Sequence, residues 1–204
     1  MSSETEAGGA RIPKRARGRE RVAKLLQAAT AVFAEKGYDA ATMTEIAARA
    51  GAPIGSLYQF FPVKEALADT LVQNYVALLT AELEALEASA NQINTETLVE
   101  SLFGLLRAHP QERAAALPLA EARMSEQLRR TTFRHMVRKR VAAILRARAP
   151  TLNAEAAREI AIVMVQLMKA SSALSDEEGL PGRTAGLREI RALAVQYLDQ
   201  RLVT

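Results

Sequence analysis

Hydrophobic residues recur at steps of three and four along most of the chain, which is the spacing that places them on one face of an α-helix. One such pattern runs over residues 19–36 and is followed at once by Gly37, a residue type that often ends helices. Further patterns predict helices over residues 64–88, 98–106, 153–174 and 184–202, with one or two more between Pro118 and Arg148. No stretch alternates apolar and polar residues as a strand does. The chain is therefore predicted to be all-α, with about nine helices.

Two shorter helical patterns lie between residues 42 and 61 and are joined by Gly51. Thr42 and Glu45 have the three-residue spacing of a capping box, in which the two residues bond reciprocally at a helix start. Pro62 is expected to end the second helix, because the residue before a proline avoids helical geometry. Helices shorter than about 12 residues are marginal alone, so this pair must pack against the preceding helix.

The pair has the layout of a helix-turn-helix, in which the second helix enters the DNA major groove. Ala47 lies four residues before Gly51 and is small enough to let the helices approach, while Gly51 can adopt a positive φ. An ordinary helical hairpin has the same alanine–glycine spacing. The capping box, a basic segment upstream, and the uncharged Ser56, Tyr58 and Gln59 favour the DNA interpretation.

Positive charge is concentrated in the N-terminal third of the chain. Residues 11–64 contain ten Lys or Arg and four acidic residues, whereas residues 65–204 contain seventeen of each. This asymmetry predicts an anionic partner at one end of the molecule. Residues 1–18 are expected to form a disordered basic arm. Its Arg15 and Arg17, with the adjoining Arg19, either enter a DNA minor groove or serve to keep the tail soluble.

The composition narrows the possible functions. The chain has no cysteine and two histidines, His109 and His135, and it lacks hydrolase, zinc-protease and phosphate-loop motifs. We therefore expect no enzyme activity, no metal and no cofactor. No apolar run approaches the roughly 20 residues of a membrane helix, and the first residues lack a secretory signal pattern. A cytoplasmic protein without a membrane partner is predicted.

The segment TMTEIAARAGAPIGSLYQFFPVKEAL, residues 42–67, resembles the head of the tetracycline-repressor (TetR) family of transcriptional regulators. The similarity covers about residues 19–80. The residues that carry it are Thr42, Glu45, Ile46, Ala47, Ala50, Gly51, Gly55, Leu57, Tyr58, Phe61, Lys64, Glu65 and Leu67. The resemblance implies a basic arm (1–18), a DNA-binding helix-turn-helix head (19–64), and a helical effector-binding and dimerisation domain (65–204).

Nine residues of the head are expected to contact DNA: Thr42, Thr44, Ile54, Gly55, Ser56, Tyr58, Gln59, Phe60 and Lys64. Gln59 suits a bidentate contact with adenine, and Ile54 suits contact with a thymine methyl group. The resemblance implies phosphate contacts for Tyr58 and Lys64. Many family members have a histidine where this chain has Phe60, which is limited to apolar contact or packing.

The resemblance also implies that the last two helices form a dimer, although core packing within one subunit explains their pattern equally well. A small molecule bound among residues 65–150 would change the separation of the two heads. The candidate lining residues are Val72, Tyr75, Val76, Leu79, Leu102, Phe103, Leu106, Met124, Met136 and Met164. The basic run from Arg129 to Arg148 has no acidic residue and is either a solvated face or a pocket for an anionic effector.

Together these features predict a sequence-specific regulator of transcription that binds double-stranded DNA as a homodimer. It is expected to be a repressor that an unidentified small-molecule effector releases from a palindromic operator. The alternative is an architectural DNA-binding protein without an effector, which would bind with little sequence preference.

Overall fold

The structure, a computed structural model, describes residues 16–123 and 126–202, and the side chains of this range except those of residues 121–134. These described residues form nine α-helices and no strand, so the predicted all-α fold is confirmed. The helices are α1 (Ala16–Ala40), α2 (Met43–Arg49), α3 (Ile54–Phe60), α4 (Lys64–Ser89), α5 (Thr95–Leu105), α6 (Pro110–Arg123), α7 (Glu126–Arg148), α8 (Ala154–Asp176) and α9 (Arg183–Leu202).

The chain divides into two compact units. The first comprises Met1–Val76 and Gln111–Ser125, and the second comprises Ala77–Pro110 and Glu126–Thr204. Each unit has its own buried apolar core. The first unit thus includes the start of α4 and most of α6 in addition to the predicted head, and the functional boundary at residue 64 stays a prediction.

The core of the first unit is shared by α1, α2 and α3. Leu25 and Phe33 of α1, Ile46 of α2, Leu57 of α3 and the following Phe61 are all buried in it. Helices of seven residues, such as α2 and α3, gain little from backbone hydrogen bonds alone because the cost of nucleation is spread over few residues. Burial of their apolar side chains against α1 therefore holds them in place.

Two glycines set the chain direction around this core. Gly37 has φ 75° and ψ 173°, which interrupts the regular helical geometry of α1 where the sequence predicted its end. Gly51 has φ 60° and makes the turn between α2 and α3, and the amide of Ala52 bonds to the carbonyl of Ala47 at 3.0 Å. Positive φ is strained for residues with a Cβ atom, so both positions favour glycine.

The helix boundary expected at Pro118, where the predicted segment 118–148 began, is not observed. Helix α6 begins at Pro110 and continues through Pro118 to Arg123. A proline inside a helix removes one hydrogen bond, which normally disfavours that geometry. On this helix Ala115 and Leu119 are almost fully buried in the core of the first unit, and that burial offsets the lost bond.

The core of the second unit comprises apolar residues of α4, α5, α7, α8 and α9. Helices α5 and α8 begin at asparagine caps, since Asn94 accepts from the amide of Thr97 at 2.7 Å and Asn153 accepts from that of Ala156 at 2.9 Å. Within the described residues, no helix combines the length and apolar character needed to cross a bilayer.

The predicted capping box of α2 is present. The amide of Glu45 donates to the Thr42 hydroxyl oxygen at 3.2 Å, and the amide of Thr42 donates to the Glu45 carboxylate at 3.2 Å. Two N–H groups at the helix start, which have no partner inside the helix, are satisfied in this way.

We expect Thr42→Ala to lower the free energy of unfolding by about 1 kcal/mol, because α2 loses its side-chain cap. Urea denaturation followed by circular dichroism measures the change. Thr44→Ala is the matched control, since Thr44 is exposed on the same helix, and its effect should stay within about 0.5 kcal/mol. Equal losses for the two variants would contradict the capping role.

Candidate nucleic-acid interface

Helix α3 has distinct outer and inner faces. At about 100° per residue, Ile54, Tyr58, Gly55 and Gln59 fall within one arc of about 140°. All four are exposed, whereas Leu57 on the opposite side is fully buried. This arc, Ile54, Gly55, Tyr58 and Gln59, is called the outer face of α3. It forms a surface that a groove of a nucleic acid can approach without disturbing the core.

The two remaining predicted contacts of α3 lie outside this face. Phe60 is partly buried and packs against the core of the first unit, which agrees with the packing role expected for an aromatic residue there. The hydroxyl oxygen of Ser56 is buried and has no hydrogen-bond partner among the described residues. A contact between Ser56 and a base or phosphate requires a different rotamer of this side chain, and it stays a prediction.

The charged side chains of α1 and α2 pair with one another. Lys36 Nζ lies 2.6 Å from Glu45 Oε1, and Arg49 Nη1 lies 2.5 Å from Glu35 Oε2. The hydrogen bond from Arg49 lowers the pKa of Glu35, and bonds from Lys36 and then Thr42 lower the pKa of Glu45. Both carboxylates are therefore charged at neutral pH and engage the two cations, while the outer face of α3 carries no formal charge.

The threonines and arginines predicted to contact DNA are exposed where they are described. Thr42 and Thr44 lie at the start of α2, and Arg17 and Arg19 lie in the first turns of α1. Arg15 lies outside the described residues. Residues 16–18 of the predicted disordered arm are helical, because alanine and arginine favour helix strongly enough to offset one internal glycine.

Lys64 is bound to the backbone of the first unit. Its ammonium lies 2.8 Å from the carbonyl oxygen of Tyr38, 3.1 Å from that of Ala41 and 3.5 Å from that of Asp39. It also lies 4.3 Å from the centroid of the Tyr38 ring, and the Tyr38 hydroxyl donates to Glu65 at 2.9 Å. We call this group the Lys64 clamp. A cation at the carbonyl end of α1 interacts favourably with the negative end of the helix dipole.

The Lys64 clamp was not predicted, because the partners of Lys64 lie more than twenty residues away along the chain. The aromatic residue directly after Gly37 is the one local signal, since an aromatic ring at a helix end offers a face to a cation. The phosphate contact expected of Lys64 requires the ammonium to leave these carbonyls, and it stays a prediction.

The candidate pocket residues of the second unit are mostly core. Leu79, Leu102, Phe103 and Met164 are buried, and Leu106 and Met136 are partly buried. A groove of about 630 Å³ in the same unit lies between α5 and α9 and is lined in part by Glu96, Glu100 and Arg191. None of the described candidate residues lines this groove, and their contact with an effector stays a prediction.

The remaining candidates belong to the first unit or fall outside the description. Tyr75 is buried, and Val72 and Val76 are partly buried. Met124 lies outside the described residues. Whether these side chains contact an effector stays a prediction.

The basic run of α7 is partly neutralised by acids of α4. Arg140 bonds to Glu84 and lies 3.8 Å from Glu87. Arg138 and Arg148 each have a buried Nε atom without a hydrogen-bond partner among the described residues. In the described part of this run, at least one arginine is therefore paired with glutamates of α4.

The two histidines occupy different environments. His109 Nε2 lies 2.6 Å from Glu82 Oε1, and His135 is exposed. Within the described residues, no group of three or more His, Asp or Glu side chains is placed to hold a metal ion.

Two sequence models of known families match this chain. The model described as bacterial regulatory proteins, tetR family, matches residues 25–71. The model described as tetracyclin repressor-like, C-terminal domain, matches residues 92–198. The first match includes α2, α3 and the Lys64 clamp, and the second reaches from the segment before α5 to α9.

Characterised relatives match part of the chain. The HTH-type transcriptional activator FasR of Mycolicibacterium smegmatis is 38% identical over 102 residues, covering 49% of this chain and 47% of the relative. The HTH-type transcriptional repressor KstR2 of Mycobacterium tuberculosis is 37% identical over 86 residues, covering 42% and 40% respectively. The chain thus spans less than half the length of the curated relatives it matches.

Solved structures share the fold over most of the chain. A TetR family member from Streptomyces coelicolor A3 has a TM-score of 0.63 at 19% identity, covering 91% of this chain and 99% of its own. A gamma-butyrolactone receptor (ArpA-like protein) has a TM-score of 0.57 at 20% identity, covering 89% and 99%. At these identities the likeness shows the all-α fold.

We expect Lys64→Met, which keeps the side-chain length, to lower the free energy of unfolding by about 1–3 kcal/mol, because charge-assisted hydrogen bonds to carbonyls are lost. Lys24→Met, at an exposed position of α1, should change it by less than about 0.5 kcal/mol. Urea denaturation measures both.

The same variant decides whether Lys64 contacts DNA. If the ammonium leaves the clamp and binds a phosphate, as the sequence predicts, the slope of log affinity against log salt on duplex DNA should be about 0.9 smaller in magnitude for Lys64→Met than for the natural chain. Equal slopes would show that the clamp stays intact in the bound state.

Proposed function

The chain belongs to the tetR family of bacterial regulatory proteins, and on this premise we propose that it is a sequence-specific DNA-binding regulator of transcription. The observation that carries the proposal is the exposed, uncharged outer face of α3. That helix is too short to persist alone and is anchored through Leu57 in the core of the first unit. A short helix held in this way is suited to enter the major groove.

The proposed base contacts come from the outer face of α3. The Gln59 amide can pair bidentately with adenine, which discriminates against a wrong base by about 1–3 kcal/mol. Gly55 has open space where a Cβ atom would lie, so the backbone can approach the groove closely. We propose that the Tyr58 hydroxyl binds a phosphate at the edge of the groove, and the exposure of this residue, which is nearly one half, supports the proposal.

Phosphate and minor-groove contacts supply the non-specific part of the proposed affinity. Thr42 and Thr44 are exposed at the start of α2, where hydroxyl and amide donors suit a phosphate. Arg17 and Arg19 are exposed on α1, and with the preceding Arg15 they form a basic segment suited to a minor groove.

We propose that two copies associate through α8 and α9. Ile162 and Val163 of α8 are 46% and 39% exposed, and Leu193 of α9 is 55% exposed. From Ile160 to Met168 the sequence has no charged residue, although three of these positions are exposed. A solvated helix face normally carries charge, so this surface favours contact with another apolar surface. Two-fold pairing would place two heads on a palindromic operator.

The sign of regulation and the effector belong to the same proposal. One curated relative is named an activator and another a repressor. We favour repression, because occupancy of promoter DNA is sufficient for it, whereas activation needs a further contact with the polymerase. Binding of an unidentified small molecule by residues 65–204 in the cytoplasm would release the operator.

The proposal is tested by incubating the full chain with a pool of randomised duplex DNA and sequencing what it retains. Enrichment of an inverted repeat is expected. Retention without sequence enrichment would favour an architectural DNA-binding protein. No retention at low salt would contradict the DNA-binding proposal.

Gln59→Ala is expected to relax the base preference at one position in each half-site, with a loss of about 1–3 kcal/mol in discrimination there. Competition binding with operators changed at single positions measures the effect. Gln27→Ala, at an exposed position of α1, should leave the preference unchanged. Equal weakening on every sequence would instead make Gln59 a supporting residue.

Leu193→Glu should convert the dimer into a monomer, because two carboxylates would be buried across a two-fold interface without partners. Sedimentation velocity measures the mass, and affinity for the palindrome should fall as bivalent binding is lost. Leu180→Glu, at an exposed position before α9, should remain dimeric. A dimer that survives Leu193→Glu would place the interface elsewhere.

A further inference from the structure

The large apolar side chains that are exposed in the described part of the first unit lie in one short stretch. Among the described residues of that unit, the exposed large hydrophobic side chains are Ile54 (40%), Tyr58 (48%) and Val63 (44%). Ile54 and Tyr58 lie one turn apart on the outer face of α3, and Val63 lies just beyond the helix. Apolar groups that a protein leaves exposed together usually meet a partner.

The outer face of α3 has few polar groups. Its donors and acceptors are the Gln59 amide, the Tyr58 hydroxyl and backbone atoms. It has no arginine or lysine, so the commonest specific contact with guanine is not available to it. Contacts with base edges beyond the reach of Gln59 must therefore be largely apolar.

The major groove offers one apolar group for such contact. Base edges there present nitrogen and oxygen donors and acceptors, and only the C5-methyl group of thymine is hydrocarbon. If the Ile54 side chain covered a polar edge, that edge would lose water without gaining a hydrogen bond, which is unfavourable. Contact with a methyl group removes apolar surface from water on both sides.

We infer that Ile54 is a specificity-determining residue that selects thymine through its C5-methyl group, with the ring of Tyr58 flanking the same contact. This inference rests on the proposed function, because it assigns the base class that the outer face of α3 reads. Gly55 supports it, since open space at its missing Cβ lets the helix come near enough for a short side chain to reach a base. A-T pairs are then favoured beneath Ile54 as well as beneath Gln59.

The test replaces thymine by deoxyuridine, which keeps every hydrogen-bonding group and removes only the methyl group. The full chain is titrated with operators taken from the selected pool, with a single thymine replaced at a time in only one of the two half-sites. At one or two positions the replacement should weaken binding about three- to fivefold, the effect expected for one buried methyl contact.

The variant Ile54→Ala identifies the protein side of the contact. Position 54 is exposed and alanine favours helix, so the variant should fold as the natural chain does. It should bind thymine and deoxyuridine operators equally at the sensitive position. Val63→Ala, similarly exposed but outside α3, should retain the full difference.

Three results would overturn the inference while leaving the proposed function intact. In the first, no deoxyuridine replacement weakens binding. In the second, Ile54→Ala still loses affinity when thymine is replaced by deoxyuridine. In the third, Val63→Ala abolishes that loss as fully as Ile54→Ala does. If Ile54→Ala changes no DNA-binding property, Ile54 does not contribute to recognition and the inference is overturned. If the chain retains no DNA at low salt, the proposed function itself fails.

Discussion

Helices α2 and α3 depend on a shared core with α1. Each has seven residues, so its backbone hydrogen bonds barely repay the entropy of nucleation. Ile46 and Leu57 are fully buried against α1, and this burial supplies the missing stability. Because the buried side of α3 holds the helix in place, the residues on its outer face are not needed for stability and can serve the proposed recognition of DNA.

Charge is distributed so that stability and recognition use different side chains. The cations nearest the helix pair are engaged within the first unit: Lys36 and Arg49 with carboxylates, and Lys64 with backbone carbonyls. The outer face of α3 is left uncharged. The proposed non-specific affinity therefore comes mainly from the basic segment preceding and beginning α1, while the proposed discrimination comes from an amide and an apolar side chain. Such a division makes affinity strongly dependent on salt and discrimination nearly independent of it.

In the second unit, apolar periodicity identifies the helices but does not distinguish core packing from the lining of a pocket. Residues such as Leu102 and Met164 have the spacing of an apolar helix face, and they are buried in the core. A groove in the same unit is lined largely by polar and charged side chains of α5 and α9, which no apolar pattern would select. The exposed and uncharged stretch of α8 is visible in both sequence and structure, because it combines helical spacing with a lack of charge at exposed positions.

The features that depend on near neighbours were predictable from the amino-acid sequence: most of the helices, the capping box at Thr42, the turn at Gly51 and the uncharged character of α3. These follow from interactions across three or four residues, which are the same wherever the segment lies. Three other features became visible only in the folded chain: Lys64 binds the carbonyl of Tyr38, the hydroxyl of Ser56 is buried, and α6 continues through Pro118. Each of these outcomes depends on packing against distant parts of the chain, where burial and newly formed partners outweigh the local preference of the residue.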